Sequence, residues 1–196
     1  TAGYTVGYDA TQQDVLISAF LAAYSGQKGN KVTLNPLKTM ALPNWRLNYT
    51  GLNKIKFFQK YFRTISLNHS YRSSYTVGNY IKAAAQDTSF ALDANRIRPE
   101  YIISQVTISE SFSPLINVDM TWKNSLLTRL EVRRDRTLSL STSNNQITEI
   151  GNMEYIVGTG YTLKQLKMPF TVRGNAIKSD LTLRCDFSIR NSKTLI

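Results

Sequence analysis

The chain has 196 residues, 24 of them basic and 13 acidic, for a formal charge of +11. That excess suits nucleic acid, anionic lipid or an acidic protein partner without choosing among them. No run of about 18 apolar residues exists, which excludes a transmembrane helix, and the single cysteine, Cys185, excludes an intrachain disulfide framework or a multi-cysteine metal site.

Only 19% of residues are charged, while tyrosine (11) and phenylalanine (8) are plentiful and much of the hydrophobicity falls on alternate positions. Transmembrane barrels hide their hydrophobicity in this way. Tyr4, Val6 and Tyr8 open the chain in a strand-like pattern. Thr11-Gln12-Gln13-Asp14 resembles a capping box and leads into Val15, Leu16, Ala19, Phe20 and Ala23, spaced for one helical face. A helix of about twelve residues ending near Gly26 follows, with core packing as one use for it and lining or plugging a pore as the other. Residues 25–42 read as a connection, so 1–42 forms a strand end, a short helix and a loop. Residues 43–196 read as consecutive transmembrane-type strands belonging to one larger barrel domain.

Trp45, Leu47 and Tyr49 share one face of a short strand. Leu52, Ile55, Phe58 and Phe62 then switch to a helical stripe flanked by Lys54, Lys56 and Lys60. Lysine stems on such a turn can snorkel along a membrane interface. From Thr64 to Tyr80 alternation returns, longer than an ordinary globular strand. Residues 81–100 read as a loop. Strands are expected over Tyr101–Phe112 and Leu115–Lys123, divided at Pro114, with a turn at Asn124–Ser125. Over Leu126–Ser143 the charged run Arg133-Arg134-Asp135-Arg136 leaves one long strand and a hairpin both open. Asn144–Asn145 marks a turn. Met153–Lys164 is a further strand, and residues 165–178 read as its connection to the last one.

That last run is the clearest. Leu181, Leu183, Cys185, Phe187 and Ile189 alternate with Asp180, Thr182, Arg184, Asp186, Ser188 and Arg190. Eleven residues of period two suit a tilted membrane-spanning strand, apolar toward lipid and charged toward a watery lumen. Tyr155, Val157 and Tyr161 supply a second lipid-facing row. Trp45, Tyr49, Tyr75 and Trp122 fall near the ends of dry faces, as aromatic girdles require. Asn191-Ser192-Lys193 looks like a turn just before the chain stops, and the chain reads as an excerpt. Seven or eight strands on short connections imply an all-β antiparallel meander, an arc of a large transmembrane β-barrel with one or two short helices.

No paired carboxylates, phosphate loop or nucleophile elbow is present. The only histidine, His69, lacks a second ligand nearby and reads as structural. Gly158 and Gly160 mark close packing rather than a phosphate cradle. The expectation is a non-enzyme without cofactor or metal.

Several phrases carry a resemblance: Asp14–Ile17 running into Ala19–Tyr24, Leu42–Leu52, Ser66–Gly78, Asp135–Glu149 and Glu154–Gly158. Together, over about residues 11–190, they resemble the C-terminal part of the SprA (Sov) family, giant outer-membrane translocons of the Bacteroidetes type IX secretion system. The resemblance implies a very large barrel that passes folded cargo, serves gliding motility, and works with a PorV-type barrel protein and a periplasmic plug protein. It makes Arg184, Asp186 and Arg190 candidate lumen residues and makes lipid and the remainder of the barrel the immediate partners. Another outer-membrane channel shares the same physics. A soluble basic β-domain binding nucleic acid is the third reading, weakened by basic residues dispersed over many strands.

Overall fold

A computed structural model describes residues 10–28, 42–83, 99, 101–172 and 175–196. Six antiparallel strands pair strictly in chain order: β1 (Trp45–Tyr49), β2 (Phe62–Lys82), β3 (Tyr101–Trp122), β4 (Leu126–Ser141), β5 (Gln146–Val172) and β6 (Asn175–Leu195). The sheet curls into a half-barrel meander, the all-β arc that the alternation predicts. Helix α1 (Gln13–Ser25) precedes it, and a 3-10 turn (Gly51–Lys54) with helix α2 (Lys56–Tyr61) joins β1 to β2.

The strand count is six instead of seven or eight because the expected break at Pro114 does not occur and the stretch over Leu126–Ser141 is one strand. Pro114 sits inside β3, where the register shifts by two residues against both neighbours. A shift of two keeps every later side chain on its original face, so the strand continues. The run Arg133–Arg136 lies in mid-strand in β4, which settles the open choice as one strand. Residues 165–178 are mostly strand: β5 runs to Val172 through two register irregularities, and β6 starts at Asn175. The turn expected at Asn191–Lys193 is also strand, with Asn191 opposite Met153 and Lys193 opposite Gly151. The turns at Asn124–Ser125 and Asn144–Asn145 are present, with Ser125 and Asn145 at φ 70 and 55°. Residues 1–9, 29–41, 84–98, 100 and 173–174 lie outside the described part, and with them the Tyr4–Tyr8 pattern and most of the expected loops.

Helix α1 spans the expected residues but not by a capping box: Gln12 is its N-cap, without a side-chain cap hydrogen bond. Its far end closes on Gly26 in the left-handed region (φ 66°), where glycine carries no steric cost. Ile17 and Phe20 pack on Ile103, Val106, Ile108 and Leu140, which form the buried core. Gln13 acts as a false strand edge. Its Oε1 accepts from the Ile103 N–H at 2.9 Å and its Nε2 donates to the Tyr101 carbonyl oxygen.

Candidate functional site: an apolar band and a polar wall

Register turns the alternation of single strands into rows across the sheet. Tyr49, Leu67, Val118, Leu130, Val157 and Phe187 are successive cross-strand partners, one from each of six strands. The adjacent row holds Ile116, Val132, Tyr155 and Ile189, with Leu47 opposite His69 on β1 and β2. Large members of both rows face outward: Leu47 is 53% exposed, Val157 52%, Phe187 67% and Ile189 74%. A contiguous apolar surface of this extent marks an interface, because soluble monomers rarely leave one open to water.

Aromatic clusters border the β1–β3 part of the band at both ends. On one side Trp45 stacks on Tyr71 (4.4 Å between centroids) and Tyr71 on Phe112 (4.6 Å). On the other, Phe62 packs on Trp122 (4.3 Å) and on Phe58 (6.1 Å), and the Tyr49 ring lies over Gly51. From Phe62 to Tyr71 is nine residue steps along β2, about 30 Å of fully extended chain and less along the normal of a tilted strand. The apolar belt of a transmembrane barrel is about 25 Å tall.

The eight residues expected to face lipid share this face. Tyr155, Val157 and Tyr161 pair with Ile189, Phe187 and Leu183, while Cys185 and Leu181 pair with Thr159 and Leu163. Trp45, Tyr49 and Trp122 belong to the border groups. Tyr75 does not, because it packs against the core under α1. Tyr71, Phe112 and Phe62 complete the borders and are not among the girdle residues expected from sequence. They are visible there as aromatics in phase, but only register reveals which of them meet.

The opposite face is a polar wall that includes Arg184, Asp186 and Arg190. Ion pairs run across it: Arg129 with Asp119 at 2.9 Å, Arg133 with Glu131 at 2.6 Å and Glu154 at 3.7 Å, and Arg190 with Glu154 at 3.3 Å. Glu131 is 7% exposed, and Arg133 supplies the counter-charge that a buried carboxylate needs. Gly158 and Gly160 floor a hollow of about 250 Å³ edged by Arg129, Arg184 and Asp186. A Cβ at Gly158 would collide with the Asp186 carboxylate, and one at Gly160 would stand 2.8 Å from the Leu183 carbonyl oxygen. The glycines therefore make room for the charged side chains of β6.

Beyond the Trp45–Tyr71–Phe112 border the apolar face turns polar before it reaches α1. Glu110 accepts from the hydroxyls of Tyr24 (2.7 Å) and Tyr71 (2.9 Å), and Arg136 bridges Glu110 (3.6 Å) and Glu149 (2.7 Å). Burial, and then the hydrogen bond to Glu110, push the Tyr24 phenol above its ordinary value. His69 lies 2.6 Å from the Leu115 carbonyl oxygen through Nδ1. That contact makes Nδ1 the protonated nitrogen and gives the ring a structural place beside the β3 bulge. Among the described residues no group of three or more His, Cys, Asp or Glu could hold a metal. Among them, too, no helix is long and apolar enough to cross a membrane, which says nothing of strands. Neither a protein-family model nor a curated protein matches the chain.

Proposed function

We propose that this chain is an arc of the wall of an outer-membrane, protein-conducting β-barrel, the translocon of a type IX secretion system. The observation that carries the membrane part is the six-strand apolar row from Tyr49 to Phe187, exposed over Leu130, Val157 and Phe187 and flanked by aromatic borders on β1–β3, with ion pairs on the reverse face. Lipid covers the row, and the aromatic borders lie at headgroup depth. The translocon part rests on the sequence phrases named above, Asp135–Glu149 foremost.

In this reading the chain performs no reaction. Its polar face lines the conduit, and Asp119, Arg129, Glu131, Arg133, Glu154 and Arg190 on it are already held in ion pairs, so these six offer passing polypeptide little. Backbone groups in hydrocarbon must be satisfied internally, so the outer edges of β1 and β6 require neighbouring strands from the remainder of the barrel. A PorV-type barrel protein, a periplasmic plug protein and cargo bearing a C-terminal signal are the proposed partners.

Fractionation of cells carrying the full-length parent protein, together with its deletion, tests the proposal. Heat-modifiable outer-membrane protein and cargo trapped in the periplasm on deletion are expected. Normal secretion from the deletion strain would replace the translocon by another outer-membrane channel. A parent protein that stays soluble would end the barrel reading and reopen the nucleic-acid one.

A further inference from the structure

A notch lies on the apolar face, just outside the band. The last apolar row is Val132–Tyr155–Ile189; the next is Arg134–Met153–Asn191, and the one beyond is Arg136–Gly151–Lys193. Successive rows are about 7 Å apart along the strands. Gly151 leaves a gap between Arg136 and Lys193, and a Cβ there would meet nothing within 4 Å. The resulting depression, of about 160 Å³, is edged by Arg134, Arg136, Glu149, Asn191 and Lys193.

The charges around it are unequally committed. Glu149 and Glu110 both hold Arg136 and fix its guanidinium. Arg134 and Lys193 are exposed and have no ion-pair partner among the described residues. Asp135, next in sequence, turns to the other face, where it accepts from the Ser111 hydroxyl at 2.6 Å. Arg134, Lys193 and the Asn191 amide thus surround an empty space open to the outside, where three cations outnumber the two carboxylates Glu110 and Glu149. Guanidinium and ammonium groups in that arrangement recognise a phosphate.

The surroundings say where the phosphate comes from. One row from the Arg134 edge of the notch and two from Gly151, Tyr155 and Ile189 expose an apolar track on which an acyl chain can lie. Phe112, cross-strand partner of Arg134, belongs to the aromatic border with Tyr71 and Trp45. Arginine and lysine at this depth meet headgroups, while the chains of the same lipids descend along the band. We infer that the Gly151 notch binds the phosphate of an anionic membrane-lipid headgroup. The inference rests on the band being lipid-facing.

Native mass spectrometry of the full-length parent protein, released from detergent micelles with added phosphatidylglycerol or phosphatidylcholine, tests it. Preference for phosphatidylglycerol is expected, with about a tenfold loss of affinity in the Arg134→Gln/Lys193→Gln double variant, as two charge-assisted contacts disappear. Gly151→Leu fills the notch without changing charge and should lose as much. A Lys123→Gln/Lys164→Gln variant removes the same charge elsewhere and should bind normally. Parent-like binding by the double variant or by Gly151→Leu would overturn the site. Full displacement by excess inorganic phosphate would make it a free-anion site and overturn the lipid assignment. Partition of the parent into the detergent phase is scored separately, and its failure would remove the barrel reading itself.

Discussion

Two apolar regions occupy the same face of the same strands, and they are covered differently. Near Gln146 and Tyr101, the face built from Val106, Ile108, Leu138 and Leu140 is roofed by α1, and Val106 and Ile108 are fully buried. Further along, Leu130, Val157 and Phe187 are covered by none of the described residues and stay open. Glu110, Arg136 and Glu149 form the polar belt that divides the two. The comparison teaches that one strand face can be covered by its own chain over one stretch and stay exposed over the next. A barrel strand of more than twenty residues overshoots the bilayer, and its protruding apolar part must be covered by the chain itself.

The largest effect should come from uncovering the roofed region. Phe20→Ala leaves a cavity between α1 and β3, and large aromatic truncations in a core cost about 3–5 kcal/mol. Hydrogen exchange should rise in α1 and over residues 103–108, with membrane insertion unaffected. Unchanged protection there would mean that α1 is not a structural cover. The open region should respond to charge instead. Leu183→Arg, on the uncovered face, should cost about 2–4 kcal/mol when refolded into vesicles. The same substitution at an exposed site of a water-soluble sheet would fall within about 0.5 kcal/mol. Arg184→Leu, on the polar wall, should be milder, and equal losses from both would dissolve the distinction between the faces.

The two glycines of the wall sharpen the contrast on the other side of the sheet. A Cβ at Gly160 meets the backbone carbonyl of Leu183, which is held in the β5–β6 ladder and cannot yield. Gly160→Ala should therefore cost about 1–3 kcal/mol, in the manner of overpacking. At Gly158 the obstacle is the end of the Asp186 side chain, which can swing aside. Gly158→Ala should cost less, and Asp186→Ala should rescue it while leaving Gly160→Ala unimproved. Denaturant midpoints of the four variants decide the matter.

Much of this arrangement is legible in the sequence, since alternation alone places Leu181–Ile189 on one face and Arg184, Asp186 and Arg190 on the other. What alternation cannot say is which solvent meets an apolar face. Tyr75 has the same phase and flanks as a border aromatic, yet it lies under α1, because the roof comes from residues more than fifty positions earlier. Breaks were over-read for a related reason. Proline, charge and asparagine punctuate isolated strands, but a paired strand absorbs them. Pro114 is taken up by the two-residue shift in β3. The run Arg133–Arg136 divides its members between two faces, where Glu131, Glu154, Ser111, Glu110 and Glu149 receive all but Arg134. Those partners lie on other strands or at unremarkable local positions, so register has to be known first.

The smallest expected effect concerns how α1 is fastened. Tyr24 donates to Glu110 at 2.7 Å, and its phenol is raised above its ordinary value, first by burial and then by that bond. An unfolded tyrosine titrates near pH 10. Because the folded form holds its proton more tightly, the contribution is fully present below that pH and is lost as pH rises from it through the higher folded value. Tyr24→Phe removes the bond but leaves Glu110 its partners Tyr71 and Arg136, so at neutral pH the cost should be about 0.5–1.5 kcal/mol. Above pH 10 the wild-type helix should lose exchange protection while the phenylalanine variant does not, so that the difference between them shrinks. A variant that loses protection in parallel with the wild type would place the alkaline weakness at another group, and Tyr24 would then be a spacer rather than the fastener of the roof.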